Sequence, residues 1–236
     1  MCGIFAVRSN GPAVEPAALE PINVLRHRGP DSVTTWLSPC GTVGLAQSRL
    51  AVVGVANGAQ PVYDESQTVH AVVNGEFYGY REQRRDLAAR GHTLRTETDS
   101  EIAVHLYEEN PDGFVARLHG EFAFVLWDRA RRTLLAVRDR FGVKPLYYTW
   151  IGGRLVLASE IKALLAAGAA RRWDAESFHD YLHACFGPDR TLFDGIFQVP
   201  PGSMLRADDE GVRIERYWDL DYPLAESPEA AQAADI

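Results

Sequence analysis

The chain has 236 residues, 46% of them hydrophobic and 24% charged, the composition of a globular protein able to bury a core without disulfides or metals. Its formal net charge of −8, from 32 acidic and 24 basic residues, argues against a nucleic-acid binder held by phosphate contacts and against a polybasic membrane anchor. The three cysteines, Cys2, Cys40 and Cys185, are odd in number and form no CxxC pair, so neither a disulfide framework nor a zinc ribbon is expected and a reducing, cytoplasmic setting fits.

In chain order, the apolar run 3–7 reads as a buried strand. Residues 16–25 have helical apolar spacing, then basic residues, Gly29 and Pro30, which is a helix stop. Residues 33–37, 43–53 and 68–73 read as strands, the last alternating and rich in β-branched side chains. Helices are expected over 81–90 and 99–109, the second opened by a capping box from Thr98 to Glu101. Residues 122–127 with 133–137, and 146–150 with 155–158 around Gly152-Gly153, read as hairpins, and 161–167 and 175–185 as helices. Strands in hairpins and helices in pairs imply antiparallel sheets with helices outside them, an α+β fold rather than a βαβ alternation. The tail 220–236 is rich in Ala, Glu, Asp and Pro and reads as a linker or the severed start of another domain. No apolar run is long enough to cross a bilayer, and the N-terminus has no basic n-region of a secretory signal.

Four positions could carry chemistry, and each also has a plain structural reading. Removal of Met1 would leave Cys2 with both a thiol, of pKa about 8.5, and a free α-amine, of pKa about 7.7–8.0, able to accept the thiol proton. Asn74-Gly75 is either a hairpin turn or a pair of oxyanion donors, the side-chain amide and the backbone N–H. Asp99 is either a helix-start acid or a carboxylate for a ligand ammonium. Arg49 is either a solvated edge charge or a bidentate clamp on a carboxylate.

Taken together these residues follow one pattern. Met1-Cys2-Gly3-Ile4-Phe5 resembles the opening of class II glutamine amidotransferases, which are N-terminal-nucleophile hydrolases. Arg26-His27-Arg28-Gly29-Pro30-Asp31, Gly58-Ala59-Gln60-Pro61, Asn74-Gly75-Glu76 and Thr98-Asp99-Ser100-Glu101 follow in that family's order and spacing. The segment from Arg138-Asp139-Arg140-Phe141-Gly142-Val143-Lys144-Pro145 to Tyr148, the segment from Ala158-Ser159-Glu160 to Leu164, and Pro200-Pro201-Gly202 with Tyr217-Trp218 resemble asparagine synthetases in particular. Three places depart from the family's usual pattern: Gln47, where members usually carry His, Leu50-Ala51-Val52-Val53-Gly54, and Phe77-Tyr78-Gly79.

The resemblance covers roughly residues 2–218 and implies a four-layer αββα sandwich of two antiparallel sheets, with 219–236 as linker or truncated start of a synthetase domain. It implies Cys2 as nucleophile, Asn74 and Gly75 as the oxyanion hole, and Arg49, Glu76 and Asp99 as the grip on L-glutamine. The glutaminase half would need no cofactor or metal. ATP and Mg2+ would belong to a synthetase domain or a separate synthetase chain, whose Ser-Gly-Gly-type pyrophosphate loop is not in this sequence. An exposed apolar face is expected where that half docks, and the resemblance allows a homo-oligomer. Two rivals are the glutaminase domain of another class II amidotransferase and a non-catalytic scaffold of the same fold.

Overall fold

A computed structural model of the chain describes residues 1–221; the remainder of the expected linker lies outside the described residues. In chain order the strands are β1 (Gly3–Arg8), β2 (Ser32–Leu37), β3 (Val43–Arg49), β4 (Val62–Tyr63), β5 (Val69–Phe77), β6 (Gly120–Asp128), β7 (Thr133–Arg138), β8 (Tyr147–Ile151), β9 (Arg154–Ala158), β10 (Ile196–Gln198), β11 (Ser203–Ala207) and β12 (Val212–Arg216). The α-helices are α1 (Tyr80–Ala89), α2 (Ile102–Glu109), α3 (Ile161–Ala166) and α4 (Ala175–Leu182). The strands form two six-stranded sheets, ordered β10-β8-β9-β1-β3-β2 and β12-β11-β7-β6-β5-β4. Each strand pairing is antiparallel.

Strand alternation produces the layers. Ile4 and Ala6 of β1 pack between the sheets with Val72 of β5 and Val125 and Trp127 of β6. Phe5 and Val7 point the other way, onto Leu19, Ile22 and Leu25 and onto Ala163 and Leu164 of α3. On the far side, Val73, Phe122 and Phe124 meet Leu87 of α1 and Ile102, Leu106 and Tyr107 of α2. The result is the expected helix–sheet–sheet–helix sandwich.

Several local expectations change. Residues Pro16–Leu25 form a 3-10 rather than an α-helix, because Pro21 lies inside the segment and cannot donate an N–H. The strand expected over 43–53 stops at Arg49, and the strand expected over 68–73 continues to Phe77. Asn74-Gly75 therefore makes no hairpin turn but lies inside β5, paired with Ala123 and Phe122. The capping box closes on one side only: Thr98 Oγ1 accepts from the Ser100 N–H at 3.3 Å. Glu101 instead accepts from the Arg95 and Thr96 N–H groups, at 2.6 and 2.9 Å. α4 ends at Leu182, short of Cys185, with Ala184 at positive φ. The short strands β10 to β12 carry weak apolar alternation and were not expected.

Candidate active site

One end of the sandwich collects the residues singled out from the sequence. Cys2 lies just before β1 on the parity of Ile4 and Ala6, and Gln47 and Arg49 lie on the parity of Val43 and Leu45. Asn74 is two residues beyond Val72. Period-two alternation thus sends these side chains into the inter-sheet layer, where the sheets splay into a cleft of about 300 Å³. Met1, Cys2, Arg49, Asn74, Gly75, Glu76 and Asp99 all line it, with Leu50, Val52 and Val53 on one wall and Glu121 and Lys144 on another. All six proposed site residues therefore converge, although they span 98 positions (99 − 2 + 1) of sequence.

Asn74 is fully buried, and neither its Oδ1 nor its Nδ2 has a hydrogen-bond partner among the described residues. A buried amide with both ends unmatched costs free energy unless a ligand completes it. Gly75 adds a second donor. The Val73 N–H donates to Gln60 Oε1 at 2.6 Å and the Phe77 N–H to Asp99 Oδ2 at 2.8 Å. Alternation directs the Gly75 N–H to that same edge of β5, between the two. Across β5 the Gly75 backbone closes on β6 at φ +153°, where an added Cβ would sit 2.2 Å from the Glu121 carbonyl oxygen, so only glycine fits.

The Cys2 thiol lies against the backbone of Leu50, whose N–H approaches Sγ at 3.4 Å. Its main chain is held from below: Arg28 Nε donates to the Cys2 carbonyl at 2.8 Å, and Arg28 Nη1 donates to Glu160 Oε1 at 2.8 Å. Burial alone would raise the Glu160 carboxyl, but hydrogen bonds from Arg28, Lys162 and His27 outweigh it and hold the carboxyl down to about 2. Ser159 adds a further tie, with Oγ accepting from the Ile4 N–H at 2.9 Å. Arg28, Ser159 and Glu160 sit in motifs noted in the sequence, yet nothing in their spacing told that they would support Cys2.

Arg49 has a structural occupation as well as a place in the cleft. Its Nη2 donates to the Val53 and Gly54 carbonyls at 3.2 and 2.7 Å, which folds residues 50–55 over the pocket mouth. Gly58 permits this, since a Cβ there would lie 2.5 Å from Nη2. Asp99 is buried, with Oδ2 bound to Phe77 and Oδ1 accepting from Thr98 Oγ1 at 3.1 Å. Glu76 is exposed at the rim. The Arg138–Lys144 loop, noted only as a sequence resemblance, builds a wall. Asp139 accepts from the Val143 and Lys144 N–H groups at 3.0 and 2.9 Å, and the Arg138 guanidinium donates to the Gly142, Lys144 and Val199 carbonyls. The loop so fixed sets Lys144 Nζ 3.3 Å from Glu121.

A cysteine beside an unmatched buried amide and an adjacent strand N–H, in a cleft that also holds Arg49, Lys144 and the carboxylates of Glu76, Asp99 and Glu121, suits a zwitterionic amino acid carrying an acyl group. Comparison with known proteins agrees. The family model described as "Glutamine amidotransferase domain" matches residues 1–218. "Amidase chry2" of Gibberella zeae is 38% identical over 237 residues, covering 94% of this chain and 35% of its own length. "Asparagine synthetase [glutamine-hydrolyzing] 1" of Bacillus subtilis is 32% identical, covering 97% of this chain and 37% of its own length. Among solved structures, the glutamine phosphoribosylpyrophosphate amidotransferase of B. subtilis superposes with a TM-score of 0.70 at 19% identity, over 93% of this chain and 50% of that one. It shares the fold. The chain spans about a third of the length of these curated relatives.

Proposed function

Since this chain belongs to the glutamine amidotransferase family, we propose that residues 2–218 form a unit that hydrolyses L-glutamine to glutamate and ammonia, with Cys2 as nucleophile. The observation that carries the reading is the fully buried Asn74 amide, unpartnered and lining the same cleft as Cys2. Met1 also lines that cleft, so its removal would place the new α-amine on Cys2 itself.

That amine takes the thiol proton, and the thiolate adds to the side-chain amide carbon of glutamine. The carbonyl electron pair moves onto oxygen, where the Asn74 Nδ2–H and Gly75 N–H receive it. The ammonium returns its proton to the amide nitrogen, the C–N bond breaks, and ammonia leaves a thioester on Cys2. Water then adds, giving its proton to the amine, and collapse of the second tetrahedral adduct expels the sulfur, which is reprotonated, and releases glutamate. Thiol chemistry of this kind requires no metal or cofactor. Arg49 pairs with the substrate α-carboxylate, and Glu76 and Asp99 receive its α-ammonium.

The ammonia, in our reading, serves ATP- and Mg2+-dependent asparagine formation from aspartate in a synthetase half. Support comes from the asparagine synthetase relatives and from an apolar exposed surface. Phe141 and Val143 are exposed beside the site loop, and Trp173, Phe178, Tyr181 and Leu182 on and before α4. A second reading gives the partner half a different amide chemistry, because the amidase is the more similar of the two named relatives, 38% against 32%. A cytoplasmic location fits the three free cysteines, two of them exposed. Among the described residues no helix is long and apolar enough to cross a membrane.

The test is to incubate the purified chain with glutamine, aspartate, ATP and Mg2+ and to follow glutamate, asparagine and pyrophosphate separately. Glutamate alone, lost in Cys2→Ala, is expected. No glutamate from the Met1-processed chain would return the domain to the scaffold reading.

A further inference from the structure

Away from the cleft, on the outer face of the second sheet, four side chains from three segments converge. Glu65 follows β4, His92 follows α1, and His105 and Glu108 lie one turn apart on α2. One ligand atom from each lies within 4.8 Å of all the others. His92 Nδ1 is 3.4 Å from Glu65 Oε1 and 3.6 Å from Glu108 Oε2. His105 Nδ1 is 3.5 Å from Glu65 Oε2 and 2.8 Å from Glu108 Oε2.

We propose that Glu65, His92, His105 and Glu108 form a binding site for a zinc-like divalent cation, held by two imidazoles and two carboxylates. A tetrahedral ion bound at about 2.0–2.1 Å needs ligand atoms separated by roughly 3.3 Å, and the spacings here straddle that value. Coordination takes the imidazoles in their neutral form, so the two carboxylates supply a charge of about −2 that a divalent ion cancels.

The second ring nitrogens favour the same assignment. With both Nδ1 atoms turned inward, His92 Nε2 faces Glu109 Oε1 at 3.5 Å and His105 Nε2 faces Glu101 Oε1 at 3.8 Å. A metal-bound histidine commonly has a carboxylate on its outer side, and here both outer carboxylates stand within ion-pair range. Those outer acids are themselves fixed, Glu109 by Arg90 Nε at 2.7 Å and Glu101 by the Arg95 and Thr96 N–H groups. His105 is fully buried, and among the described residues its Nε2 has no hydrogen-bond partner, Glu101 Oε1 lying beyond hydrogen-bond distance. Four protein ligands leave no open position, so the ion is structural. It would pin the chain around the start of α2, where Glu101 lies two residues beyond Asp99 of the cleft.

The whole chain should be tested with its thiols removed, as Cys2→Ala, Cys40→Ser, Cys185→Ser, so that zinc cannot settle on sulfur. After EDTA stripping it is titrated with Zn2+ alone against a chromophoric chelator. One saturable equivalent is expected, with only nitrogen and oxygen ligands in the X-ray absorption spectrum. Zinc at about 100 times its Kd should raise Tm on the order of 5–10 °C. His92→Ala and Glu65→Gln, both at partly exposed positions, should each weaken binding by at least about tenfold while keeping the parent's zinc-free urea midpoint. His183→Ala, which breaks an exposed histidine pair at the C-terminal end of α4, should bind as the parent does. No saturable equivalent in the parent, or unchanged affinity in both His92→Ala and Glu65→Gln, would overturn the site and leave the cluster an ion-pair network.

Discussion

The Gln47 side-chain amide donates to the Val73 carbonyl at 2.9 Å and so ties β3 of one sheet to β5 of the other, directly behind Asn74. The Val73 N–H on the same edge of β5 is held by Gln60 Oε1 at 2.6 Å. The backbone that presents the candidate oxyanion donors is thus fixed by two glutamines.

Gln47→Leu should therefore lower stability by about 1–3 kcal/mol, because it leaves the Val73 carbonyl buried without a donor. Urea unfolding measures this. Turnover should fall with it, since the Asn74–Gly75 strand loses a brace. A variant with unchanged urea midpoint and unchanged turnover would show that the inter-sheet bond is dispensable.

Asn74→Ala should reduce kcat by roughly 10²–10³ and change KM little, because the amide is needed most as the oxyanion develops. Its urea midpoint should stay near the parent's, for neither amide atom has a hydrogen-bond partner among the described residues. A change confined to KM would remove Asn74 from the oxyanion role and make it a ground-state binding residue.

Arg49→Lys should raise KM for glutamine, since one ammonium cannot reproduce the guanidinium fork. It should also loosen residues 50–55, whose carbonyls Arg49 holds. Faster amide exchange in that segment, alongside the KM rise, is the expected pair of readings. A raised KM without loosening would separate substrate pairing from loop support.

Glu160 gives an acid-side test. Its carboxyl ionises near 2 in the folded chain against 4.5 for the free side chain. The unfolded chain binds the extra proton first, so the stabilisation from this group is fully present above about pH 4.5 and drains away as pH falls toward about 2. Glu160→Gln should flatten that part of the stability–pH curve. Through Arg28 and the Cys2 carbonyl it should also lower kcat more than KM changes. Parallel pH curves for parent and variant would contradict the assignment.

Methionine removal is the last requirement. With Met1 attached, the Cys2 nitrogen is an amide and cannot accept a proton. Mass spectrometry of active preparations should find Cys2 first, and a chain forced to retain Met1 should be inactive. Full activity with Met1 in place would demand another base.

Much of this protein is written locally. The apolar run of β1, the alternation at the start of β5 and the hairpin of β6 with β7 gave strands, and the ordered motifs from Cys2 to Trp218 gave the family and the six cleft residues. Yet local rules misread Asn74-Gly75 as a plausible turn. A two-residue signal is indifferent to whether a partner strand runs alongside, and the pairing of Asn74 with Ala123 and of Gly75 with Phe122, 49 and 47 positions on (123 − 74 and 122 − 75), carries β5 straight through. Only the tertiary structure turns Arg28 and Glu160 toward Cys2, and only it assembles Glu65, His92, His105 and Glu108. In each case the partners are separated by other elements, and no period or spacing in a sequence encodes a distance between them. That distance is set when two sheets and their covering helices pack against one another.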